Sequence, residues 1–504
     1  MNNFNYVVIQ AGGVGSRMGS HTKNKPKCMV SYNGKSMIQH TIDYFENKKI
    51  IIICDYKKDL LKSYISKVLK YDVIFIDAKE KSTTSGLNEV YNIIPENEPF
   101  VYLWSDLILT EPIEFKFDKA INIYLTDDVL CRWSVAKNKM VKESSSKNGV
   151  AGLFSFKNKE ILKQLNFYKS FVGGNIANFH EEKIGFINVK GLMEIGTEQF
   201  YDKLLKESNK SRFFNDVKIT NNFVVKKCIN PIYDSLIENE INWYNYLKNK
   251  VDFIPTIFSL NPLTMNKICG NHIFDLNLSK NDKLEIIKSI CDNLIILHSI
   301  IVKESNYSDL EETYINKTIS RVYSVKDIIP LFETASFFIN NKHCINPFYD
   351  YNIKDLIIDV KSLLYTDKYT VIHGDPTFSN ILVNNENKSF FIDPRGIFGN
   401  TKIYGDSNYD WAKLYYSVNG NYDSINSKSF SVKIQENKIN LDIKSNGFEK
   451  FSSIILKKSN MTEKQMLLHQ ALIWLSLTGY VKEDYDSILY AFFYGVLLWN
   501  LARG

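Results

Sequence analysis

The hydrophobic pattern changes once, near residue 208, and that change excludes a single continuous fold. Before it, short apolar runs alternate with stretches of helical spacing. Tyr6–Ala11 ends in glycines, Ser36–Phe45 and Leu60–Leu69 have helical spacing, and Ile50–Cys54, Val73–Ile76 and Phe100–Trp104 read as buried strands. Alternating β and α units predict an α/β fold whose parallel sheet carries helices on both faces. A polar stretch, Ser208–Arg212, reads as a connection. After it come strand candidates at Phe223–Cys228 and Leu263–Ile268 and an amphipathic helix at Ser235–Lys248. Helical stretches follow at Lys283–Val302, Ile315–Asn341 and Ile353–Leu364, then a strand–loop–strand unit at Val371–Asp393. The remainder is mostly helical, apart from a Ser/Asn/Lys-rich stretch at Asn419–Lys444 that reads as a hairpin or a mobile loop. No internal repeat links the halves. Two unlike domains are therefore expected, residues 1–210 and 211–504, which suits a chain of 504 residues at roughly 100–200 residues per domain.

Composition narrows the partners. Hydrophobic residues make up 44% and charged residues 23%, ordinary for a soluble globular protein. A formal net charge of +6 over this length is too small to argue for nucleic acid and supports at most mild attraction of anionic substrates. The seven cysteines form no CxxC pair, so neither a disulfide framework nor a zinc site is expected, and a reducing, cytoplasmic compartment fits. The start, MNNFNYVVIQAGG, has no basic segment or cleavage site, so no signal peptide is expected. The uncharged run Ser487–Ala502 falls short of the roughly 18 apolar residues of a membrane span and reads as a buried terminal helix.

The opening strand runs into Gln10-Ala-Gly-Gly-Val-Gly-Ser-Arg-Met-Gly19. Glycines after a strand let backbone N–H groups approach a phosphate closely. The dinucleotide fingerprint GxGxxG fails, because Met18 stands at its third glycine, and the P-loop GxxxxGK[ST] is absent. The wider string is AGGVGSRMG, then Lys25-Pro26-Lys27, then Gly34-Lys35. It resembles the sugar-phosphate and alcohol-phosphate nucleotidyltransferases, the family of phosphocholine cytidylyltransferases and MobA-like NTP transferases. Over about residues 5–205 the resemblance implies a Rossmann-like domain with a mostly parallel sheet. It also implies a backbone cradle for the nucleotide at Gly12, Gly13 and Gly15, with Arg17 on the triphosphate and Lys27 near the reacting phosphates. Ser82-Thr-Thr-Ser-Gly86-Leu87 resembles the family's nucleobase-recognition segment, and Gly152 lies in a strand resembling the one that lines the acceptor side. Asp106 stands where the family places a Mg²⁺ ligand. Glu194, in Gly191-Leu-Met-Glu-Ile-Gly-Thr-Glu198, stands where the second metal acid is usually Asp. In such chemistry a phosphomonoester oxygen attacks the α-phosphorus of an NTP and pyrophosphate leaves. Both reactants are anions, so cations must hold them together. Plainer readings stand beside these: a structural turn for Gly12–Gly19, a capping role for Asp106, a surface position for Glu194.

The second half carries Ile372-His373-Gly374-Asp375-Pro-Thr-Phe-Ser-Asn380-Ile-Leu-Val383 and then Phe390-Phe-Ile-Asp393. Kinase catalytic loops need an Asp near the attacking hydroxyl, an Asn five residues later on Mg²⁺, and a second metal-binding Asp after a short hairpin. Asp375, Asn380 and Asp393 have that spacing. HGD-x₄-N resembles the choline-kinase and aminoglycoside-phosphotransferase superfamily, which implies a two-lobed, protein-kinase-like domain using ATP and Mg²⁺. Within the resemblance, Lys226 (with Lys227 as rival) is the ATP lysine, Glu240 its ion-pair partner, and Leu263–Ile268 the strand over adenine. Asp410 is a helix-start acid supporting the catalytic loop. Lys226 and Glu240 could instead belong to a solvated charged face. Choline-type kinases follow the metal Asp with an aromatic and an acid, whereas this chain has Pro394-Arg395-Gly396. Arg395 would disfavour a cationic substrate and favour an anionic or hydroxyl-rich one. His373 reads as a structural loop residue.

A kinase makes a phosphomonoester and a nucleotidyltransferase consumes one. Consecutive steps are therefore expected: a small alcohol is phosphorylated with ATP, and the product then receives a nucleotidyl group, CMP from CTP being favoured because the N-terminal half has the length of the compact cytidylyltransferases. Such pairings resemble enzymes that activate head groups or sugars for surface polysaccharide. Two alternatives stay open: an anomeric sugar kinase with a sugar-1-phosphate nucleotidyltransferase using UTP or GTP, or one domain acting only as a binding or regulatory module. Expected partners are nucleotides and a small alcohol or sugar, with no nucleic acid.

Overall fold

The computed structural model describes residues 4–80, 82–137, 139–207, 215–228 and 234–504. The chain divides into two compact units, Met1–Ser208 with Lys482–Tyr485, and Asn209–Val481 with Asp486–Gly504. The expected connection at 208–212 lies outside the described residues.

The first unit is built on β1 (Tyr6–Gln10), β2 (Lys49–Cys54), β3 (Ile74–Asp77) and β4 (Phe100–Trp104), which are mutually parallel in the order β3–β2–β1–β4. Four consecutive isoleucines make β2 apolar on both faces, which suits a central parallel strand covered on both sides. Helix α1 (Met37–Tyr44) follows β1 and is capped by the Ser36 hydroxyl, which accepts the Gln39 N–H at 3.4 Å. Helix α2 (Lys58–Ser63), continued by a π-turn over Tyr64–Val68, follows β2, and α3 (Leu87–Ile93) precedes β4.

Beyond β4 the expected, mostly parallel sheet takes in an antiparallel strand. After β5 (Leu107–Leu109) and β6 (Ile121–Thr126), strand β7 (Gly149–Phe156) runs antiparallel to both β4 and β6. The link from β6 to β7 is a loop bearing the short pair Ser134–Ala136 and Lys139–Val141, with no crossover helix to bring the chain back in parallel. Strand β8 (Ile184–Asn188) pairs parallel with β6 at the edge, so β7 opposes a mostly parallel sheet. A separate pair joins β5 to β9 (Leu192–Glu194), with Glu194 opposite Leu107, before α4 (Glu198–Glu207). Gln10 is in register with both Ile53 and Trp104, so the loops leaving β1, β2 and β4 open together at the carboxyl edge, where open α/β sheets hold ligands.

The second unit starts with an antiparallel sheet in the order β10 (Asn215–Ile219), β11 (Phe223–Cys228), β13 (Leu263–Asn266), β12 (Ile257–Leu260), with α5 (Asp234–Leu247) between β11 and β12. Helix α6 (Lys280–Ser299) begins at a Ser279–Asp282 capping box. Helical turns continue from 307 into α7 (Lys317–Tyr323). The expected helix over Ile315–Asn341 ends there: β14 (Ser336–Ile339) is a strand hairpinned to β15 (Lys342–Ile345). The alternating burial of Ser336–Ile339, with Phe337 and Ile339 inward, is a strand period inside an apolar stretch. Next come α8 (Ile353–Leu363), β16 (Lys368–Val371), the hairpin β17 (Ile381–Val383) and β18 (Ser389–Phe391), and α9 (Ser407–Val418). The Ser/Asn/Lys-rich stretch forms the hairpin β19 (Phe430–Gln435) and β20 (Lys438–Ile443), whose β20 joins β14 in parallel. Helices α10 (Glu463–Leu477) and α11 (Tyr485–Arg503) follow; α10 is buried on nearly all sides, as expected for a core helix apolar all round. No described helix is long and apolar enough to cross a membrane. Cys28, Cys54, Cys131, Cys269, Cys291 and Cys344 are free thiols.

Candidate functional site

At the carboxyl edge of the first sheet, the chain leaves β1 through Gly12 and Gly13 and turns at Gly15, whose φ of +70° is left-handed and favours glycine. A side chain at Gly12 would press on Asp55, and one at Gly15 would meet Lys27 Cβ at 2.9 Å. Gly13 faces open space, so packing alone does not account for it. The glycine loop therefore lies directly on Lys27, which is buried although charged.

Lys27 Nζ lies 2.5 Å from Asp106 Oδ2. Asp106 follows β4, and its backbone carbonyl accepts the N–H of Ile195 at 3.1 Å, which brings Glu194 beside it. Burial and then the Asp106 carboxylate push the Glu194 pKa up, while Lys27, Arg17 and Arg132 pull it back. Arg17 reaches Glu194 Oε1 at 3.6 Å and is itself well exposed. Cys131 faces the same pair: burial, then Glu194 and Asp106, push its thiol up to about 12. The arrangement is two carboxylates ringed by cations. Sequence reasoning missed Arg132, which sits in no motif and is recognisable only once the β6–β7 loop is placed.

The acids suit a divalent cation. Asp106 Oδ1 is buried with no hydrogen-bond partner, and Glu194 is held toward its neutral form first by burial and then by Asp106, whose charge a bound cation would neutralise. Mg²⁺ is commonly held by one or two carboxylates with substrate phosphates and water completing the shell. Accordingly, no group of three or more His, Cys, Asp or Glu ligands occurs among the described residues.

Three other positions are engaged by the fold itself. The Ser82 hydroxyl donates to the carbonyl of Phe167 at 2.5 Å. Gly86, at φ +83°, caps α3, and a Cβ there would lie 2.6 Å from Ile53 Cγ2. Gly152, at φ +79°, sits at a register shift in β7 with the Trp104 ring against it.

The second unit holds an independent constellation. Along β11, Lys226 points inward and Lys227 outward. Lys226 Nζ lies 2.8 Å from Glu240 Oε1 on α5 and also pairs with Asp393, 167 residues away in sequence. Burial lowers the Lys226 pKa, but Asp393 and Glu240 more than offset this and the net shift is upward. Asp393 is non-glycine at φ +54°, a strained backbone of the kind concentrated at functional sites.

The loop between β16 and β17 carries Asp375 and Asn380. Asn380 Nδ2 donates to the Asp375 carbonyl at 2.8 Å and to its Oδ2 at 3.2 Å. Asp410 is wholly buried at the start of α9; its two oxygens accept the N–H groups of His373 and Gly374, each at 2.7 Å, and it also meets His298 Nε2 at 3.1 Å. His373 is buried and its pKa is lowered, chiefly by burial. Its Nδ1 accepts the Asp375 N–H at 3.3 Å and its Nε2 faces the Ile392 carbonyl at 3.0 Å, so the neutral tautomer protonated at Nε2 satisfies both contacts. Arg395 Nε lies 3.7 Å from Asp375 Oδ2, and Lys413 Nζ lies 3.2 Å from Oδ1. Lys413, three residues after Asp410 on α9, was also missed; the signal was its helical spacing from an acid already singled out.

Comparison with known proteins bears on the first unit. Residues 7–113 match the MobA-like NTP transferase domain. CTP:phosphoglutamine cytidylyltransferase of Campylobacter jejuni is 37% identical over 113 residues, 20% of this chain and 44% of its own length. Ribitol-5-phosphate cytidylyltransferase of Streptococcus agalactiae is 36% identical over 92 residues, 16% of this chain and 38% of its own. The chain thus spans less than half the length of these curated relatives. The crystal structure of HddC from Yersinia pseudotuberculosis is similar at 22% identity, covering 41% of this chain and 100% of that one, with a TM-score of 0.36.

Proposed function

We propose that the chain is a bifunctional transferase. The second unit phosphorylates a small alcohol with ATP, and the first unit transfers a nucleotidyl group, CMP from CTP, to the phosphomonoester formed. The observation that carries the reading is that each unit holds a buried lysine ion-paired to an acid far away in sequence.

In the first unit, Gly12, Gly13 and Gly15 admit the triphosphate to the backbone, with Arg17 on its outer phosphates. Lys27 holds attacking and attacked phosphates together and offsets the charge that grows on the α-phosphoryl oxygens. Asp106 and Glu194 would hold Mg²⁺, which supplies Lewis-acid polarisation of the phosphoryl oxygens. The Ser82–Gly86 turn borders the base. The choice of CTP rests on the cytidylyltransferases among the relatives.

In the second unit, Lys226, oriented by Glu240, binds the ATP phosphates, and Asn380 and Asp393 would hold Mg²⁺. Asp375 accepts the proton of the acceptor hydroxyl as its oxygen attacks the γ-phosphorus and ADP leaves. Asp410 and His373 fix the loop that presents Asp375. The NDP-activated product suits surface-polysaccharide modification.

The test is a coupled assay with ATP, each NTP in turn, and a panel of alcohols and sugars, following ADP and pyrophosphate separately. A CDP-linked product should form from the unphosphorylated alcohol only when both Asp375 and Asp106 are intact. Preference for UTP or GTP would replace the cytidylyl assignment with the sugar-nucleotide one. Loss of neither product in Asp375→Ala or Asp106→Ala would overturn the site assignments.

A further inference from the structure

Four cationic side chains gather around Tyr409, and the carboxylate of Asp375 stands among them. Lys413 and Arg395 contact it directly, at 3.2 and 3.7 Å. Lys317 and Arg321 lie on α7, one helical turn apart and therefore on one face. Lys317 Nζ and Lys413 Nζ lie 5.6 and 5.7 Å from the centroid of the same ring, Tyr409. The Arg321 guanidinium lies 5.7 Å from the Tyr480 ring and donates to Ser476 Oγ at 2.9 Å. Among the described residues, neither Lys317 nor Arg321 has a carboxylate at ion-pair distance. Four cations against one carboxylate leave a formal excess of +3.

That excess is costly where water is partly excluded. Burial lowers the Lys317 pKa, and Arg321, Lys413 and Arg395 lower it further; burial also lowers that of Arg321. The side chains of Lys413 and Arg395 keep 18% and 26% exposure, so a ligand can reach them. A cationic acceptor would add to the repulsion and a neutral polyol would leave it, whereas an anion relieves it. The nucleotide phosphates have their own lysine, Lys226, tied to Glu240 and Asp393. The guanidinium forks of Arg321 and Arg395 match a carboxylate or phosphate.

We infer that the acceptor of this site is an acidic alcohol, a hydroxyl compound bearing a carboxylate or phosphate, whose anionic group is held by Lys317 and Arg321 while Asp375 faces its hydroxyl. The inference rests on reading the second unit as a phosphotransferase.

The experiment measures ADP release by the full chain with MgATP and, in turn, glycerate, glycerol 3-phosphate, glycerol, ethanolamine and choline. At least one acid should have kcat/KM tenfold or more above every neutral and cationic alcohol. Comparing the two acids separates a carboxylate from a phosphate. Lys317→Gln and Arg321→Gln should each lower kcat/KM for that acid at least tenfold, mainly through KM, with KM for ATP within about twofold and thermal midpoints retained. Preference for a neutral or cationic alcohol, or unchanged kcat/KM for the acid in both variants, would overturn the acidic acceptor and leave the phosphotransferase reading standing. If ATP binds but nothing turns over, protection of the wild type against thermal unfolding by glycerate or glycerol 3-phosphate, lost in both variants, supports the inference; no protection by either acid refutes it. Failure to bind ATP at all refutes the phosphotransferase reading itself.

Discussion

The carboxylate of Asp410 accepts the backbone N–H of Gly374 at 2.7 Å and so fixes the peptide that presents Asp375. With the His373 N–H held at the same distance, one buried side chain satisfies two donors that have no other role. Asp410→Ala would strand both in a dry site, at a cost of roughly 1–3 kcal/mol each. We expect a clearly lowered thermal midpoint and at least a tenfold loss of ADP formation. Asp410→Asn keeps one acceptor and should recover part of both; calorimetry and an ADP-release assay on the two variants check this.

Lys27 and Asp106 make the corresponding prediction in the first unit. Removing a preorganised cation at a phosphoryl-transfer site costs several kcal/mol of transition-state stabilisation, roughly a hundredfold in rate. Lys27→Ala should therefore cut pyrophosphate release between about tenfold and a hundredfold, while ADP formation by the second unit stays within about twofold. Equal loss of both activities would mean that the variant has misfolded or that the two activities share a site.

Asp406 gives a pH prediction with a definite sign. Burial raises its pKa to about 6, only partly offset by the Tyr314 hydroxyl and the Asn408 N–H. A carboxyl whose folded pKa exceeds its unfolded value contributes stability that is fully present below about pH 4 and is lost as pH rises through about 6. The difference from the unfolded value corresponds to roughly 3 kcal/mol. Asp406→Asn should leave stability near pH 4 little changed and raise it at pH 7. The difference from wild type should grow between pH 4 and 6 and then level off, as followed by urea denaturation at several pH values.

The parts that could be read from sequence are those fixed by local chemistry. The glycine turn after β1, the β-branched β2 and the HGD-x₄-N loop announce themselves because each needs particular residue types at close spacing. What was not legible depends on distant partners. The antiparallel course of β7 follows from a loop that lacks a crossover helix, and hydrophobicity alone does not reveal it. Ser336–Ile339 reads as helix because its strand period is too short to stand out beside a longer helical stretch; its pairing with β15 and β20 settles the outcome. Arg132, Lys413, Lys317 and Arg321 belong to no motif. Each matters only through acids or rings brought near by the fold.

Gly86 separates a structural from a functional reading of one motif residue. It lies in the turn that sequence reasoning assigns to the nucleobase, yet its φ is +83° and a Cβ would press on Ile53 of β2 and Ile76 of β3. The left-handed backbone alone costs a non-glycine residue about 1 kcal/mol, and overpacking a core contact adds roughly 1–3 kcal/mol. Ile53 is wholly buried and Ile76 nearly so, so neither can move aside cheaply. Gly86→Ala should therefore destabilise the first unit by about 2–4 kcal/mol. If glycine is there only to let helix α3 pack on the sheet, the residual folded enzyme should show an unchanged KM for its NTP. If the turn also touches the base, KM should rise and the ranking of the four NTPs should shift. Measuring the melting temperature together with KM for each NTP decides between the two, and a stable variant with unchanged kinetics would refute both.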